Sequence, residues 1–316
     1  MDYEKLGMFY AGVRDGQPFL YDARDLLTHA VIVGMTGSGK TGLGVTLLEE
    51  AAIDGIPALV IDPKGDLANL ALRLDPAKPE QWQPWVDPDA ARRAGLEPSA
   101  FAAREADKWA KGLAATHQGP DRLGRLEQAG GVAVFTPGST AVRPLSVVRS
   151  FARPAPEVLA DADLARTAIS TTSSSLLALI GVDADPVQSR EHVLLSTLLD
   201  RAWRSGQDLD LAALVGAVHT PAFDKVGALP LDTFFPARDR AAFAVKLNNL
   251  VASPSFAPWL EGEPLDVGAL LYADGKPRTV VLSIAHLSDA ERMFFVSLLL
   301  GAVLTWMRTQ PGTSSL

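Results

Sequence analysis

Two short alternating runs, Phe9-Tyr-Ala-Gly-Val13 and Phe19-Leu-Tyr21, stand on either side of Asp15-Gly16. Asp-Gly suits a two-residue turn with both φ angles positive, so this pattern predicts a β-hairpin. Ala30-Val-Ile-Val33 is instead a continuous apolar run, the pattern of a strand covered on both faces. After a glycine-rich turn, Leu43, Leu47 and Ala51 recur at helical spacing and predict a helix from about Gly39 to Asp54. Gly55 and Pro57 are the glycine and following proline that end such a helix. A further apolar run, Ile56 to Ile61, predicts a second buried strand. Strand, helix and strand in this succession define a βαβ unit with parallel strands and a right-handed crossover.

The pattern is less regular over 72–130, where prolines at 76, 79, 84 and 88 surround Trp82 and Trp85. A helix is predicted over 98–115 and a third strand over Gly131 to Phe135. From about 154 to 260 alanine and leucine dominate and strand runs vanish, which predicts an all-helical insertion over 153–262. Asp185-Pro-Val-Gln188 reads as a capping box that starts one of its helices. Phe243, Leu247, Leu250 and Val251 form an amphipathic stripe in another. Thr279 to Ile284 returns to the strand pattern, and Ser288-Asp-Ala-Glu291 is a second capping box, opening a helix to about Arg308. Its apolar stretch, Met293 to Met307, falls short of the ~20 residues that span a bilayer and reads as a buried core helix. The expected organisation is a core of 1–152, the insertion, and a return to the core over 263–316.

Composition narrows the chemistry. The 316 residues carry a formal charge of −8, which disfavours a surface that binds nucleic acid throughout, though a local basic groove fits it. Cysteine is absent, so thiol nucleophiles, disulfides and cysteine-held metals are excluded. The five histidines (29, 117, 192, 219 and 286) never fall at ligand-pair spacing, which makes a protein metal cage improbable. Met1-Asp-Tyr-Glu-Lys lacks the pattern of an export signal, so the cytoplasm is the expected compartment, with no membrane partner.

Gly34-Met35-Thr36-Gly37-Ser38-Gly39-Lys40-Thr41 matches the phosphate-loop pattern G-x-x-x-x-G-K-[ST], and Gly42 follows it into the helix. Glycines at 34, 37 and 39 let the backbone curl so that successive N–H groups point into one concavity. The helix starting near Gly39 adds the positive end of its dipole. Lys40 supplies a charge for the β- and γ-phosphates, and the Thr41 hydroxyl is the expected Mg²⁺ ligand. A nucleotide with Mg²⁺ is therefore the expected ligand pair.

Leu59-Val-Ile-Asp62-Pro-Lys-Gly-Asp66 puts an acid at the tip of the second strand. Two readings stay open. Asp62 is either the catalytic acid that orders Mg²⁺, or part of an Asp-Pro turn in which Asp66 caps a short helix over Leu67 to Leu70.

His29 to Thr41 together with Leu59 to Asp66 resembles the HerA–FtsK branch of RecA-like ATPases, and Leu282-Ser-Ile-Ala-His-Leu-Ser288 before a helix fits the same pattern. The likeness is strongest to HerA-like helicase-type ATPases. It implies a three-layer α/β P-loop fold with a mostly parallel sheet. It also implies a homo-hexameric ring that hydrolyses ATP while threading DNA, with a nuclease or another accessory protein as a possible partner. In such proteins an Asp-Glu pair ends a strand after the last helix read here; Asp orders Mg²⁺ and Glu activates water. The chain reaches Thr313-Ser-Ser-Leu316 where that strand would begin, so a longer protein, lacking here its C-terminal strands, is expected. On that reading this chain alone binds ATP but hardly turns it over, and one side of the last helix lacks its cover. Alternatives are a conjugation- or secretion-type ATPase that moves protein or protein–DNA substrates, and a nucleotide-binding regulatory module that does not hydrolyse.

Other residues favour structural readings. Glu191 fits a buried ion pair, His29 a partly buried histidine, His286 a loop residue at a strand tip, and Trp82, Trp85 and Trp109 a staple to the core.

Overall fold

The computed structural model describes residues 7–147 and 153–312. The hairpin forms from β1 (Met8–Arg14) and β2 (Gln17–Asp22), turning at Asp15 and Gly16 with φ of 52° and 74°. Helix α1 (Lys40–Ile53) ends as its glycine requires: Gly55 has φ 75°, and the Gly55 and Ile56 amides donate to Ala52 O and Ala51 O. Strand β3 (Ala58–Asp62) follows, then a 3₁₀ turn over Leu67–Ala71, α2 (Pro88–Arg93), α3 (Pro98–Ala115), α4 (Pro120–Gln128) and β4 (Val132–Phe135).

Past the two-residue strand β5 (Leu145–Ser146), the chain is mostly helical, although the all-helical expectation is corrected by one short hairpin at 225–230. It runs through α5 (Pro156–Ala160), α6 (Ala162–Leu179), α7 (Arg190–Arg204) and α8 (Leu211–His219). A minimal hairpin, β6 (Lys225–Val226) and β7 (Leu229–Pro230), precedes α9 (Leu231–Phe234) and α10 (Ala237–Ala252). The return uses β8 (Glu263–Pro264), which pairs with β5 in parallel, then α11 (Val267–Leu271) and the short pair β9 (Tyr272–Ala273) and β10 (Lys276–Pro277). Strand β11 (Thr279–Ser283) leads to α12 (Asp289–Arg308), whose Ser288–Glu291 capping box is formed reciprocally.

The central sheet is parallel in the order β3-β11-β4. Period-two alternation divides its side chains between two layers. Val60, Val281, Val132 and Val134 pack with Val45 and Leu48 of α1, while Val280, Leu282, Ala133 and Phe135 face the helices that follow. That second face and α6, α7, α8, α10 and α12 share one continuous apolar cluster. The result is the three-layer α/β arrangement of a RecA-like P-loop fold.

Three further expectations need correction. Ala30–Val33 is not a strand: Val31 and Val33 are each 83% exposed, and none of the described strands lies beside the run. An apolar run specifies burial on both faces, but a strand also needs a neighbour for its amides and carbonyls. Asp185 caps only a single turn, accepting from the Val187 and Gln188 amides at 2.8 Å, and α7 starts at Arg190. His29 is exposed.

Helix α12 buries Phe294, Phe295, Leu298 and Leu299 in the core and leaves Met293, Leu300, Leu304 and Met307 exposed along its other side. The uncovered side expected from the sequence is therefore present. The helix is also long and apolar enough, by length and composition, to cross a membrane. The remaining readings are structural contacts. Trp82 packs on Trp109 and donates to Asp75 O, whereas Trp85 and Trp109 remain more than half exposed. Glu191 pairs with Arg190 at 3.5 Å, and Arg190 also bridges to Asp239. The limits 153 and 313–316 of the expected organisation border or lie outside the described residues, as does Met1-Asp-Tyr-Glu-Lys.

Candidate nucleotide-binding site

The glycine-rich turn sits at the N-terminus of α1, at the same end of the sheet as the tips of β3 and β11. Gly37 and Gly39 have φ of 80° and 90°, values that L side chains rarely adopt, so these two positions need glycine for the loop to curl. Gly39 is the N-cap of α1, and no side chain caps the helix there, which leaves its first amides facing the concavity. Met35 and most of the loop are exposed. Lys40 folds across the loop and donates to Gly34 O at 2.8 Å and Met35 O at 2.7 Å. Its ammonium thus lies above the concavity where a phosphate chain would meet it. Gly34, Thr36, Ser38 and Gly42 stand at the positions the motif gives them, and the Ser38 amide closes the turn onto Met35 O.

The tip of β3 separates the two acids that the sequence left ambiguous. Asp62 is 1% exposed, and its oxygens are committed to backbone amides. Oδ1 accepts from Lys64 N at 3.2 Å and Gly65 N at 2.8 Å; Oδ2 accepts from Leu67 N at 3.0 Å. Asp62 therefore ties down the 63–67 loop, in line with the turn reading, and does not present its carboxylate to a metal. Gly65, at φ 79°, brings this loop against Ala285 beyond β11. Asp66 then emerges exposed. It makes no capping bond to the 3₁₀ turn it precedes, and its Oδ2 lies 3.5 Å from Thr41 Oγ1. Among the described residues it is the carboxylate bonded to a side chain of the phosphate loop. Of the two readings that the sequence left open, the turn reading made Asp66 a cap, and the structure shows no such capping bond.

The tip of β11 is held by Arg292, which the pattern did not single out, and by His286, the loop residue expected at a strand tip. Arg292 on α12 donates to Ile284 O and Ala285 O, and the His286 Nε2–H donates to Pro137 O at 2.9 Å, joining the β11 and β4 tips. Both contacts stiffen the loop edge beside the site.

Mg²⁺ commonly keeps several waters and takes one or two carboxylates together with phosphate oxygens. A threonine hydroxyl beside one exposed carboxylate, at a phosphate-binding turn, is a donor set of that kind. Thr41 and Asp66 therefore fit the ion. No group of three or more His, Asp or Glu suited to hold a metal without phosphate occurs among the described residues.

Fold and turn together define a P-loop nucleotide-binding core. Residues 5–108, a span that contains the turn and the Asp62–Asp66 loop, match the family model described as the central domain of the helicase HerA. That likeness covers residues 5–108 and supports a P-loop ATPase of the HerA type. Among curated proteins the chain finds no match.

Proposed function

We propose that this protein is the ATP-binding part of an ATP-driven DNA translocase or helicase of the HerA–FtsK type, working as a homo-hexameric ring with nucleotide held between subunits. The observation that carries the reading is the curled 34–41 turn at the head of α1, within a segment that matches the HerA central domain. Lys40 and the α1 amides bind the phosphates, and Thr41 with Asp66 would hold Mg²⁺, which when bound neutralises charge on the β- and γ-phosphates. An exposed loop suits nucleotide sandwiched by a neighbouring subunit, because a site open to water on one side needs a second wall to exclude it.

The formal charge of −8 opposes DNA at long range, so contacts must come from local arginine- or lysine-bearing loops or from ring geometry. The test is ATP hydrolysis with and without DNA over a range of salt. The reading expects DNA to stimulate hydrolysis by the complete ring and salt to abolish the effect. Salt-insensitive hydrolysis that ignores DNA contradicts it and favours a mover of protein or a regulatory module.

A further inference from the structure

We infer that the cavity enclosed by α5, α6, α11 and α12 is a binding site for an organic ammonium with an apolar body, the cation seated between Asp266 and the Trp306 indole. The site stands apart from the phosphate turn. That turn lies at the end of the sheet where β11 passes into α12, whereas the cavity follows the far half of the same helix, from Leu298 to Thr309.

The cavity has a volume of about 580 Å³, within the range of roughly 300–1,000 Å³ typical of sites that enclose a small organic molecule. Its floor is apolar: Val158, Trp203, Leu265, Val267 and Leu298 line it, and each is at most 7% exposed. Two glycines shape its walls. A Cβ on Gly301 would stand 2.8 Å from Thr171 Cγ2, so glycine lets α12 approach α6. A Cβ on Gly268 would stand 3.2 Å from Trp306 Nε1 and 3.5 Å from Asp266 Oδ1, so this position gathers an indole and a carboxylate around one point.

Charge at the mouth selects the ligand. The charged lining residues are Arg153, Asp208 and Asp266, all exposed. Arg153 belongs to the Asp208 side: its amide donates to Asp208 Oδ1 at 2.8 Å, and its guanidinium lies beside Gly206. Asp266 accepts from the Ala269 amide at 3.0 Å through Oδ1, and it makes no ion pair among the described residues. With Arg153 set against Asp208, one negative charge remains, next to an indole. A cation there is attracted by the carboxylate, and indole is the aromatic side chain that attracts cations best. An anion meets the uncompensated aspartate instead. Burial of the apolar body on the floor supplies affinity, and the charge at the mouth supplies selectivity.

The test is calorimetry with two probes that share one apolar body, naphthylmethylammonium and naphthoate. Each is titrated into the unaltered chain and into Asp266→Asn, Ala168→Phe and Ala302→Phe. One ammonium is expected to bind per chain, with naphthoate weaker by about tenfold or more. Asp266→Asn keeps an acceptor for the Ala269 amide; it is expected to weaken the ammonium by about threefold or more and to leave naphthoate no weaker. Ala168 and Ala302 line the cavity from α6 and α12, so phenylalanine at either position fills it and is expected to abolish binding of the ammonium. Equal or tighter binding of naphthoate overturns the inference and assigns the cavity to anions through Arg153. Absence of ammonium binding overturns it too, as does unchanged affinity in Asp266→Asn. Ammonium binding that persists in a folded phenylalanine variant lies outside the cavity, on the open side of α12, and likewise overturns it. Melting temperature and helicity equal to those of the unaltered chain identify the folded variants; where neither phenylalanine variant folds, Asp266→Asn decides alone.

Discussion

Replacing Glu50 with alanine should destabilise the protein by about 3–5 kcal/mol, because it breaks a buried ion pair from one side. Glu50 lies near the C-terminal end of α1 and is 5% exposed. One of its oxygens pairs with Arg122 of α4, which is itself 9% exposed, and the other accepts from Tyr10 N of β1 at 2.7 Å. Three elements thus meet at one carboxylate, and the Arg122 guanidinium also lies over the Tyr10 ring at 5.6 Å. Truncation removes the Glu50 carboxylate from the Arg122 guanidinium and from the Tyr10 amide, and loss of a buried hydrogen-bond partner alone costs about 1–3 kcal/mol. Against a total stability of about 5–15 kcal/mol, such a loss is severe. Glu50→Gln keeps an acceptor for Tyr10 N while removing the charge, so it should fall between the unaltered chain and Glu50→Ala. Urea unfolding followed by circular dichroism measures both. A loss below about 1 kcal/mol for Glu50→Ala would refute the reasoning, since that is the range of exposed pairs.

Gly262→Ala should cost about 3 kcal/mol or more in the same assay, because its φ is 92° and a Cβ there would overlap the Pro144 carbonyl; a neutral effect would contradict it. His192 is buried between Ser174 and Ser196, and burial holds its pKa below the ordinary 6.5. Its neutral form therefore contributes stability that is present above about pH 6.5 and is lost as pH falls through the lower folded value. Melting temperature should decline more steeply below pH 6.5 for the unaltered chain than for His192→Gln, and equal slopes would count against this. Exposed Leu300 and Leu304 on α12 should mediate self-association. Sedimentation should find weaker association for Leu300→Glu/Leu304→Glu with helicity unchanged, whereas no self-association of the unaltered chain at any concentration would contradict the idea.

Local chemistry was the most legible part of the sequence. Asp15-Gly16 made its turn, Gly55 ended α1 in a paired motif, Ser288 and Glu291 capped α12, and α3 covers Pro98–Ala115 as the pattern predicted. These signals depend on a few neighbouring residues, so the fold has little freedom to override them. Ala30–Val33 failed because strand formation is a contract between two segments, and hydrophobicity reports only one of them. The same limit applies to the site. The phosphate loop is local and could be read directly, but the roles of Asp62 and Asp66 depend on which amides and hydroxyls the turn brings to each carboxylate. Spacing alone made either acid eligible. Three-dimensional placement, through Gly65 and the β11 tip, separates them.

The most direct test of the account is ADP and ATP affinity measured by calorimetry for the unaltered chain and for Lys40→Ala. Lys40 lies over the turn with its ammonium 2.7 and 2.8 Å from the loop carbonyls, poised to exchange those contacts for phosphate oxygens. The account predicts measurable binding to the unaltered chain, and loss of most of that affinity in Lys40→Ala both with Mg²⁺ and with EDTA. Equal affinity in the two proteins would contradict it, because the curled turn would then hold nucleotide without its one obligatory charge or not be the site at all.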